Sequence, residues 1–268
     1  MQNGVTGANV GVYSFPAIFD SPAYYQHSDY DGDGVRDVAL FGRLKRNNKI
    51  QVKLVSGTDG NNKLSTYNFP DKWINISWQK LFDMTGDSEN EWGLFGTSRD
   101  DGRTMLIIKD AVDKRGIVAS YAWPSMESPT LLTIPDISGD GTHELAAAGL
   151  NTDTNRYQLQ IKDGADRSNT LSNITWPNRW SDVSFHVFED MDGDGLPDVA
   201  LQGINRTSGN HQLAIVNAKS GESISIMNLG SDWDSAPTIY QIGDTDEDGV
   251  PNVVVFGVKA EHSSFIIY

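Results

Sequence analysis

Apolar and polar residues alternate along most of this chain in short runs that are separated by turn residues. Such alternation is typical of half-buried β-strands. Residues 75–83 (NISWQKLFD), 37–42 (DVALFG), 49–57 (KIQVKLVSG) and 64–69 (LSTYNF) represent four strand types, which we name A, B, C and D. Stretches rich in glycine, asparagine and basic residues, such as RLKRNN and SGTDGNN, separate B from C and C from D. The pattern predicts an all-β protein.

The loop between strands A and B has the composition of a calcium site. Residues 29–42 read DYDGDGVRDVALFG, with aspartates at positions 1, 3, 5 and 9. Hard oxygen ligands at this spacing suit Ca²⁺, and a glycine at position 6 permits the sharp turn. The apolar strand that follows excludes an EF-hand, and a solvated acidic turn is the alternative. The predicted ligands are Asp29, Asp31, Asp33 and Asp37, with the carbonyl of Val35 at position 7.

The acidic loop and its strands recur with a period of about 54 residues, which indicates a repeat architecture. An apolar segment ending in glycine follows every loop. Four antiparallel strands repeated radially form a propeller blade. We therefore predict one domain over residues 1–268, a five-bladed β-propeller with four antiparallel strands per blade. The repeats begin near Asp29, Asp83, Asp136, Asp190 and Asp244.

The two ends of the chain together make one further repeat. The segment before Asp29 and the segment after Asp244 are each about half a repeat long. We predict that the N-terminal strand completes the last blade and closes the ring, because closure removes the open edge that a sheet otherwise exposes.

The motif D-x-D-G-D-G-x-x-D followed by an apolar strand resembles the FG-GAP/VCBS repeat family over the whole chain. The best-known members are the calcium-binding blades of integrin α-subunit propellers, which have seven blades. The resemblance implies about one calcium per blade. The second loop departs most from the motif, with Thr85 and Ser88, and the third departs modestly. The further ligands implied are Asp83, Asp87 and Glu91; Asp136, Ser138, Asp140 and Glu144; Asp190, Asp192, Asp194 and Asp198; and Asp244, Asp246, Asp248 and Asn252.

Charge and composition narrow the function classes. The formal net charge is −15, and nearly half of the 36 acidic residues stand in the predicted calcium loops. Nucleic-acid binding calls for a basic footprint, so it is not expected. No apolar run is long enough to insert in a membrane. The first residues lack the features of a signal peptide. Together with the resemblance, this predicts an extracellular or cell-surface domain, mature or excised from a longer protein. We also expect a monomeric ring.

Catalytic motifs are absent from the sequence: neither H-E-x-x-H nor G-x-S-x-G occurs. Glycoside hydrolases need two carboxylates that converge on the substrate. The A strands, which would line the ring centre, contain only Glu189 as an acidic residue. The connecting loops contain further carboxylates, Asp20, Glu127, Asp182 and Asp234, which are the alternative source of catalytic groups. We nevertheless expect that the chain is not an enzyme.

The D–A and B–C connections share the end of each sheet opposite the acidic loops, and an aromatic residue recurs there. An aromatic ring beside carboxylates and guanidinium groups suits a sugar. The alternative is that these rings pack between blades. Tyr24, Trp78 and Phe185, inside A strands, are predicted to be core. The candidate ligand-binding residues are Phe19, Trp73, Trp180, Trp233, Asp182, Asp234, Arg43, Arg99, Arg156 and Arg206.

These observations favour a calcium-stabilised, non-catalytic module that binds a glycan or another cell-surface ligand, with carbohydrate as the leading partner. A structural or protein-adhesion module of a larger surface protein is the second hypothesis. An accessory domain of a polysaccharide-degrading enzyme is the third.

The split repeat generates a test. Deleting residues 1–15 should leave the edge of the last blade without its partner, so we expect aggregation or loss of the folded ring. Size-exclusion chromatography and thermal melting would measure this. A soluble, monomeric truncation of unchanged stability would show that the terminal pairing is wrong.

Overall fold

The computed structural model describes residues 13, 15, 17–112, 116–260 and 262–268, and these form β-strands without any helix. The first sheet consists of β1 (Phe19–Gln26), β2 (Val38–Leu44), β3 (Ile50–Val55) and β4 (Lys63–Phe69). The second consists of β5 (Trp73–Lys80), β6 (Trp92–Ser98), β7 (Thr104–Lys109) and β8 (Ile117–Trp123). The third consists of β9 (Met126–Ile134), β10 (Glu144–Asn151), β11 (Arg156–Lys162) and β12 (Thr170–Trp176). The fourth consists of β13 (Trp180–Phe188), β14 (Asp198–Asn205), β15 (His211–Asn217) and β16 (Ser223–Gly230). The fifth consists of β17 (Thr238–Ile242), β18 (Asn252–Lys259) and β19 (His262–Ile267).

Each sheet is a meander in which strands neighbour one another in chain order. Alternating side chains and short turns allow this, because antiparallel strands need only a tight connection. The predicted fold class, all-β with five antiparallel blades, is confirmed. Four sheets have four strands, and the fifth has three in the part of the chain that is described. No helix in the described residues is long and apolar enough to cross a membrane.

The predicted N-terminal strand of the last blade lies almost entirely outside the described residues, of which only Tyr13 and Phe15 precede residue 17. Ring closure therefore stays a prediction. Contacts group the chain into two compact units, residues 1–120 and 121–268. The single domain over residues 1–268 also stays a prediction.

The core of each unit lies between neighbouring sheets. In the first unit, apolar residues of the first two sheets pack together, with Val52, Trp78 and Leu94 among the buried members. In the second unit, one cluster joins the third sheet to the fourth. Another cluster joins the fourth to the fifth, through residues such as Val253. The fourth sheet contributes to both clusters, with Val199 and Leu201 in one and Ala200 in the other, which explains the continuous apolar run VAL at residues 199–201.

The first strand of four sheets begins with a β-bulge. In β13 the register shifts between Ser181 and Ser184, and Asp182 has φ of 50°. Serine or asparagine has positive φ at the matching positions of the other three: Ser21, Asn75 and Ser128. In the second, third and fourth sheets, a glycine of the second strand closely approaches a backbone carbonyl of the bulge: Gly96 in β6, Gly149 in β10 and Gly203 in β14. A Cβ on Gly203 would lie 3.1 Å from the carbonyl oxygen of Ser181, so the glycine permits the close approach.

The large apolar residue before each bulge, which is aromatic in three sheets and Met126 in the third, is buried, and this generates a stability prediction. Trp180 is fully buried. Trp180→Ala should therefore reduce the free energy of unfolding by about 3–5 kcal/mol, as expected for a large ring removed from a packed interior. Urea denaturation would measure the change. Ile226→Ala, at a 54% exposed site in the same sheet, is the control and should have a much smaller effect. Equal losses in the two variants would contradict this assignment.

Candidate functional site

The five acidic loops share one backbone geometry. In the first loop, Oδ1 of Asp29 accepts hydrogen bonds from the amides of Gly32 and Asp33, at 2.7 and 3.0 Å, and Oδ2 accepts one from Gly34 at 2.7 Å. The fourth and sixth positions of every loop have positive φ. Glycine occupies most of these positions because it adopts such angles without strain. They are Gly32 and Gly34, Gly86 and Ser88, Gly139 and Gly141, Gly193 and Gly195, and Glu247 and Gly249.

In four of the loops, this winding brings the loop's own carboxylates close together. In each group, oxygens of three acidic side chains lie within 4.8 Å of one another. Their charges repel, so a divalent cation would stabilise the arrangement. The third loop, with Ser138 in place of an aspartate, supplies no such group within the described residues. The groups are Asp29, Asp31 and Asp33; Asp83, Asp87 and Glu91; Asp190, Asp192 and Asp194; and Asp244, Asp246 and Asp248.

The carboxylate at the ninth position has another role besides that of a candidate ligand. Asp37 is fully buried, and its two oxygens accept hydrogen bonds from the amides of Tyr30 at 2.7 Å and Gly57 at 2.8 Å. Glu144 binds Ser138 and Gly164 in the same way. Burial raises the pKa of both carboxyl groups. This residue fastens the acidic loop to the C–D turn that lies 20 positions further along the chain.

The fourth loop departs from this arrangement at one atom. Asp198 is buried, and its Oδ2 accepts a hydrogen bond from the amide of Met191 at 2.7 Å. Its Oδ1 is also buried but has no hydrogen-bond partner among the described residues. Burial, together with the charges of Asp192, Asp194 and Asp190, raises the pKa of Asp198 to about 6. A buried carboxylate oxygen without a donor, beside three converging aspartates, fits a cation site.

The fifth loop has Asn252 at the ninth position. Its Oδ1 accepts hydrogen bonds from the amide and hydroxyl of Thr245, at 2.7 and 2.6 Å. Its Nδ2 donates to the carbonyl of Tyr268 at 3.2 Å. The amide group thus holds the loop as the carboxylates do elsewhere, and the fifth loop offers a cation one negative charge fewer.

At the opposite end of the sheets, the predicted aromatic platform is corrected. Phe19, Trp73, Trp180 and Trp233 are only 0–7% exposed, so these rings are packing residues. The indole N–H of Trp233 donates to the carbonyl of Leu229 at 2.8 Å. Large rings next to a bulge fill the space between sheets, as the packing alternative expects.

The predicted polar residues at this end are exposed, but each has a local structural role or neighbour. Asp182 is the positive-φ residue of a bulge, a conformation that aspartate tolerates well. Asp234 accepts a hydrogen bond from the amide of Ala260. The amides of Arg99 and Arg206 donate to the carbonyls of Lys72 and Arg179, at 2.7 and 2.9 Å, which joins the B–C turn to the D–A connection. Arg156 is an exposed residue at the start of β11.

Arg43 lies beside a cavity of about 380 Å³ between the first two sheets, which we name the Tyr25 cavity. Its guanidinium donates from Nη1 to the carbonyl of Asn48 and from Nη2 to that of Trp73, both at 2.7 Å. Burial and the nearby Arg99 lower the pKa of Arg43. The residues of the cavity wall that matter for recognition are Asp20, Ser21, Tyr25, Arg43, Ser77 and Trp78.

The alternation of apolar and polar residues did not predict that most of these side chains line a cavity. Tyr25 is 37% exposed, and its ring is 6.5 Å from that of Trp78, which is nearly buried. Trp78 was expected to be core, and it both packs in the core and forms cavity wall. Tyr24 was also expected to be core, but it is 63% exposed, because the bulge shifts the register of β1. Phe185 packs partly buried against the core of its unit.

No family model matches the chain, and no curated protein matches it either. Solved structures do resemble it at low identity. BBS1N in complex with ARL6DN matches 95% of this chain and 71% of that chain, at 13% identity and a TM-score of 0.44. An exo-β-1,3-galactanase from Phanerochaete chrysosporium with β-1,3-galactotriose matches 100% and 62%, at 9% identity and a TM-score of 0.41. A eukaryotic initiation factor matches 92% and 72%, at 9% identity and a TM-score of 0.33.

One of these structures corrects an expectation about catalysis. The prediction that the chain is not an enzyme is not upheld, since one of the similar structures is a galactanase aligned with 100% of this chain. The chain spans 62% of that enzyme, and a likeness at 9% identity does not itself show activity.

Proposed function

We propose that this chain is a calcium-stabilised carbohydrate-binding propeller of the FG-GAP/VCBS type. The sugar occupies the Tyr25 cavity, whose wall follows the first strand from Asp20 to Tyr25. The observation that carries the proposal is the composition of this cavity wall. It combines a half-exposed tyrosine, a tryptophan, a carboxylate, a guanidinium group and two serine hydroxyls.

These groups suit the chemistry of a sugar. Rings give apolar contact to the C–H face of a pyranose, whereas fixed polar groups orient its hydroxyls. Two carbonyls hold the guanidinium of Arg43, so its free N–H groups are pre-organised donors. Asp20 is an exposed acceptor on the opposite strand, directly paired with Arg43. A volume of about 380 Å³ is in the range of small-molecule sites.

Calcium supplies positive charge where carboxylates converge. The clusters of the first, second, fourth and fifth loops would hold the ions, and the orphaned Oδ1 of Asp198 would complete the fourth. The third loop would bind through Asp136, Ser138, Asp140 and Glu144. The ion would neutralise the repulsion within each cluster, and its role would be structural because the clustered carboxylates do not line the Tyr25 cavity.

Oxygen-rich loops of this kind bind calcium at the concentrations found outside cells, so we place the protein in an extracellular or cell-surface setting. Its partner would be a glycan or a glycan-bearing surface.

Calcium binding should be visible as stability. A metal that binds the folded chain and not the unfolded one adds about 2.7 kcal/mol per site at a hundredfold excess over its Kd. We expect the melting temperature to rise with free Ca²⁺. Asp31→Ala, which removes a converging carboxylate, should lower the melting temperature in calcium more than Thr85→Ala does. Melting curves that coincide in EDTA and in millimolar calcium would refute the calcium assignment.

The Tyr25 cavity can be tested on a panel of immobilised glycans in calcium. We expect Tyr25→Ala and Asp20→Asn each to weaken binding of the preferred glycan about tenfold or more, because they remove ring contact and a hydroxyl acceptor. Melting temperature should change little, since both side chains are partly or fully exposed. Reducing ends released from the bound glycan, measured in the same samples, separate binding from turnover.

Matched controls make this test specific. Tyr240→Ala removes a 57% exposed tyrosine from the first strand of the last sheet. Asp59→Asn removes an exposed carboxylate from the C–D turn of the first sheet. Both should bind glycan normally. The absence of any bound glycan, or normal binding by both cavity variants, would contradict the proposal.

A further inference from the structure

A second cavity of about 460 Å³ lies on the first sheet and differs in charge from the rest of the molecule. Its wall comes from β3, β4 and the turn after β2, and none of its lining residues is acidic. We name it the basic cavity. Its polar residues are Lys45, Arg46, Gln51, Lys53, Lys63 and Thr66. Four cations around one cavity stand out in a chain with 21 basic residues and a net charge of −15.

Among the residues that the structure describes, these cations lack ion-pair partners. Within the described ranges, ion pairs join Lys72 to Asp100 and Lys259 to Asp232, and none involves a cation of the basic cavity. The Nζ of Lys53 lies 5.5 Å from the centre of the Phe19 ring, over an apolar surface. Burial, and then the charge of Lys63, lowers the pKa of Lys53. A bound anion would relieve both the desolvation and the repulsion.

One hydroxyl group in the wall of the basic cavity also makes no hydrogen bond within the described residues. Thr66 lies directly across from Lys53 in the ladder between β3 and β4. Its Oγ1 is buried and has no hydrogen-bond partner among the residues described. Gln51 is fixed by a hydrogen bond from its Nε2 to Oδ1 of Asn68 at 2.8 Å. A hydroxyl beside two ammonium groups is a suitable donor set for an oxyanion.

We propose that the basic cavity binds an oxyanion of the kind carried by sugars, either a sulfate ester or a uronate carboxylate. Lys53 and Lys63 supply the principal charge, Thr66 donates a hydrogen bond, and the exposed Lys45 and Arg46 attract the ligand. Ile18 and Leu44 add an apolar contact to the wall. A volume of this size takes a small ligand, whereas the net charge of −15 repels an extended polyanion. The identification of a sugar as carrier rests on the proposed function, but oxyanion binding itself does not.

The first experiment uses inorganic sulfate as probe. Isothermal titration calorimetry on the full chain in 1 mM calcium at low ionic strength should detect sulfate binding that weakens as sodium chloride is added. Phosphate is avoided because it sequesters calcium. Lys53→Gln and Lys63→Gln should each weaken sulfate binding about tenfold, since each removes one adjacent charge. Lys49→Gln makes the same charge change at an exposed position outside the cavity and should leave the affinity unchanged.

Thr66→Val distinguishes the contribution of the hydroxyl to sulfate binding from its contribution to stability. Valine keeps the shape of threonine, and Oγ1 has no protein partner to lose, so the melting temperature should stay the same or rise. Sulfate binding should still weaken severalfold. The absence of sulfate binding to the unmodified chain would overturn the proposal. So would a loss in Lys49→Gln equal to that in Lys53→Gln, which would indicate only diffuse attraction.

Two further ligands identify the source of the oxyanion. Galactose 6-sulfate and galacturonate, each compared with galactose, should show which group the cavity accepts, and the preferred sugar should lose its advantage in Lys53→Gln. Equal affinities for galactose and both anionic sugars would overturn the assignment to an anionic sugar. Tyr25→Ala, which disables only the Tyr25 cavity, should bind sulfate normally. Failure of the proposed function and failure of the oxyanion site are therefore distinguishable.

Discussion

Each acidic loop keeps its place through a buried residue at its ninth position. Asp37, Glu91 and Glu144 are fully buried, and each accepts hydrogen bonds both from its own loop and from the turn 20 positions later. Burying a carboxylate is costly unless hydrogen bonds satisfy its oxygens, and charge-assisted bonds from backbone amides do so here. Two turns at one end of the sheet are thereby fastened together. The converging aspartates of the first and second loops depend on this attachment.

The opposite end of the sheets follows a different constraint, which is steric. A bulge at the start of four first strands lets the chain turn while an aromatic or methionine side chain packs inward. In the second, third and fourth sheets, a glycine of the second strand permits the close approach of that bulge. Because these rings pack between sheets, the proposed ligand-binding residues lie further along the strand and on the next sheet. In the first unit this leaves Tyr25, Arg43 and Ser77 around an open cavity.

The net charge conceals an uneven distribution of acidic and basic residues over the molecule. The acidic loops concentrate negative charge where hydrogen bonds from backbone amides already lower the pKa of residues such as Asp136 and Asp244. The first sheet, in contrast, has four cations around one cavity without any carboxylate. The net charge of −15 therefore reflects mainly the acidic loops and does not indicate the local charge of either cavity. Calcium and an oxyanion would each meet a local field of opposite sign.

The sequence by itself determined the features that depend on local geometry. Period-2 alternation predicted the strands, and the spacing of aspartate and glycine predicted loops whose fourth and sixth residues need positive φ. Only the tertiary structure decided how the repeated side chains are used. Trp180 and Tyr25 are both aromatic residues of a first strand, yet one is buried and the other is half exposed. Asp31 and Asp37 share one motif, but only the second is covered by the following turn. Burial and hydrogen-bond partners depend on residues from other strands, and a local pattern contains no information about which residues those are.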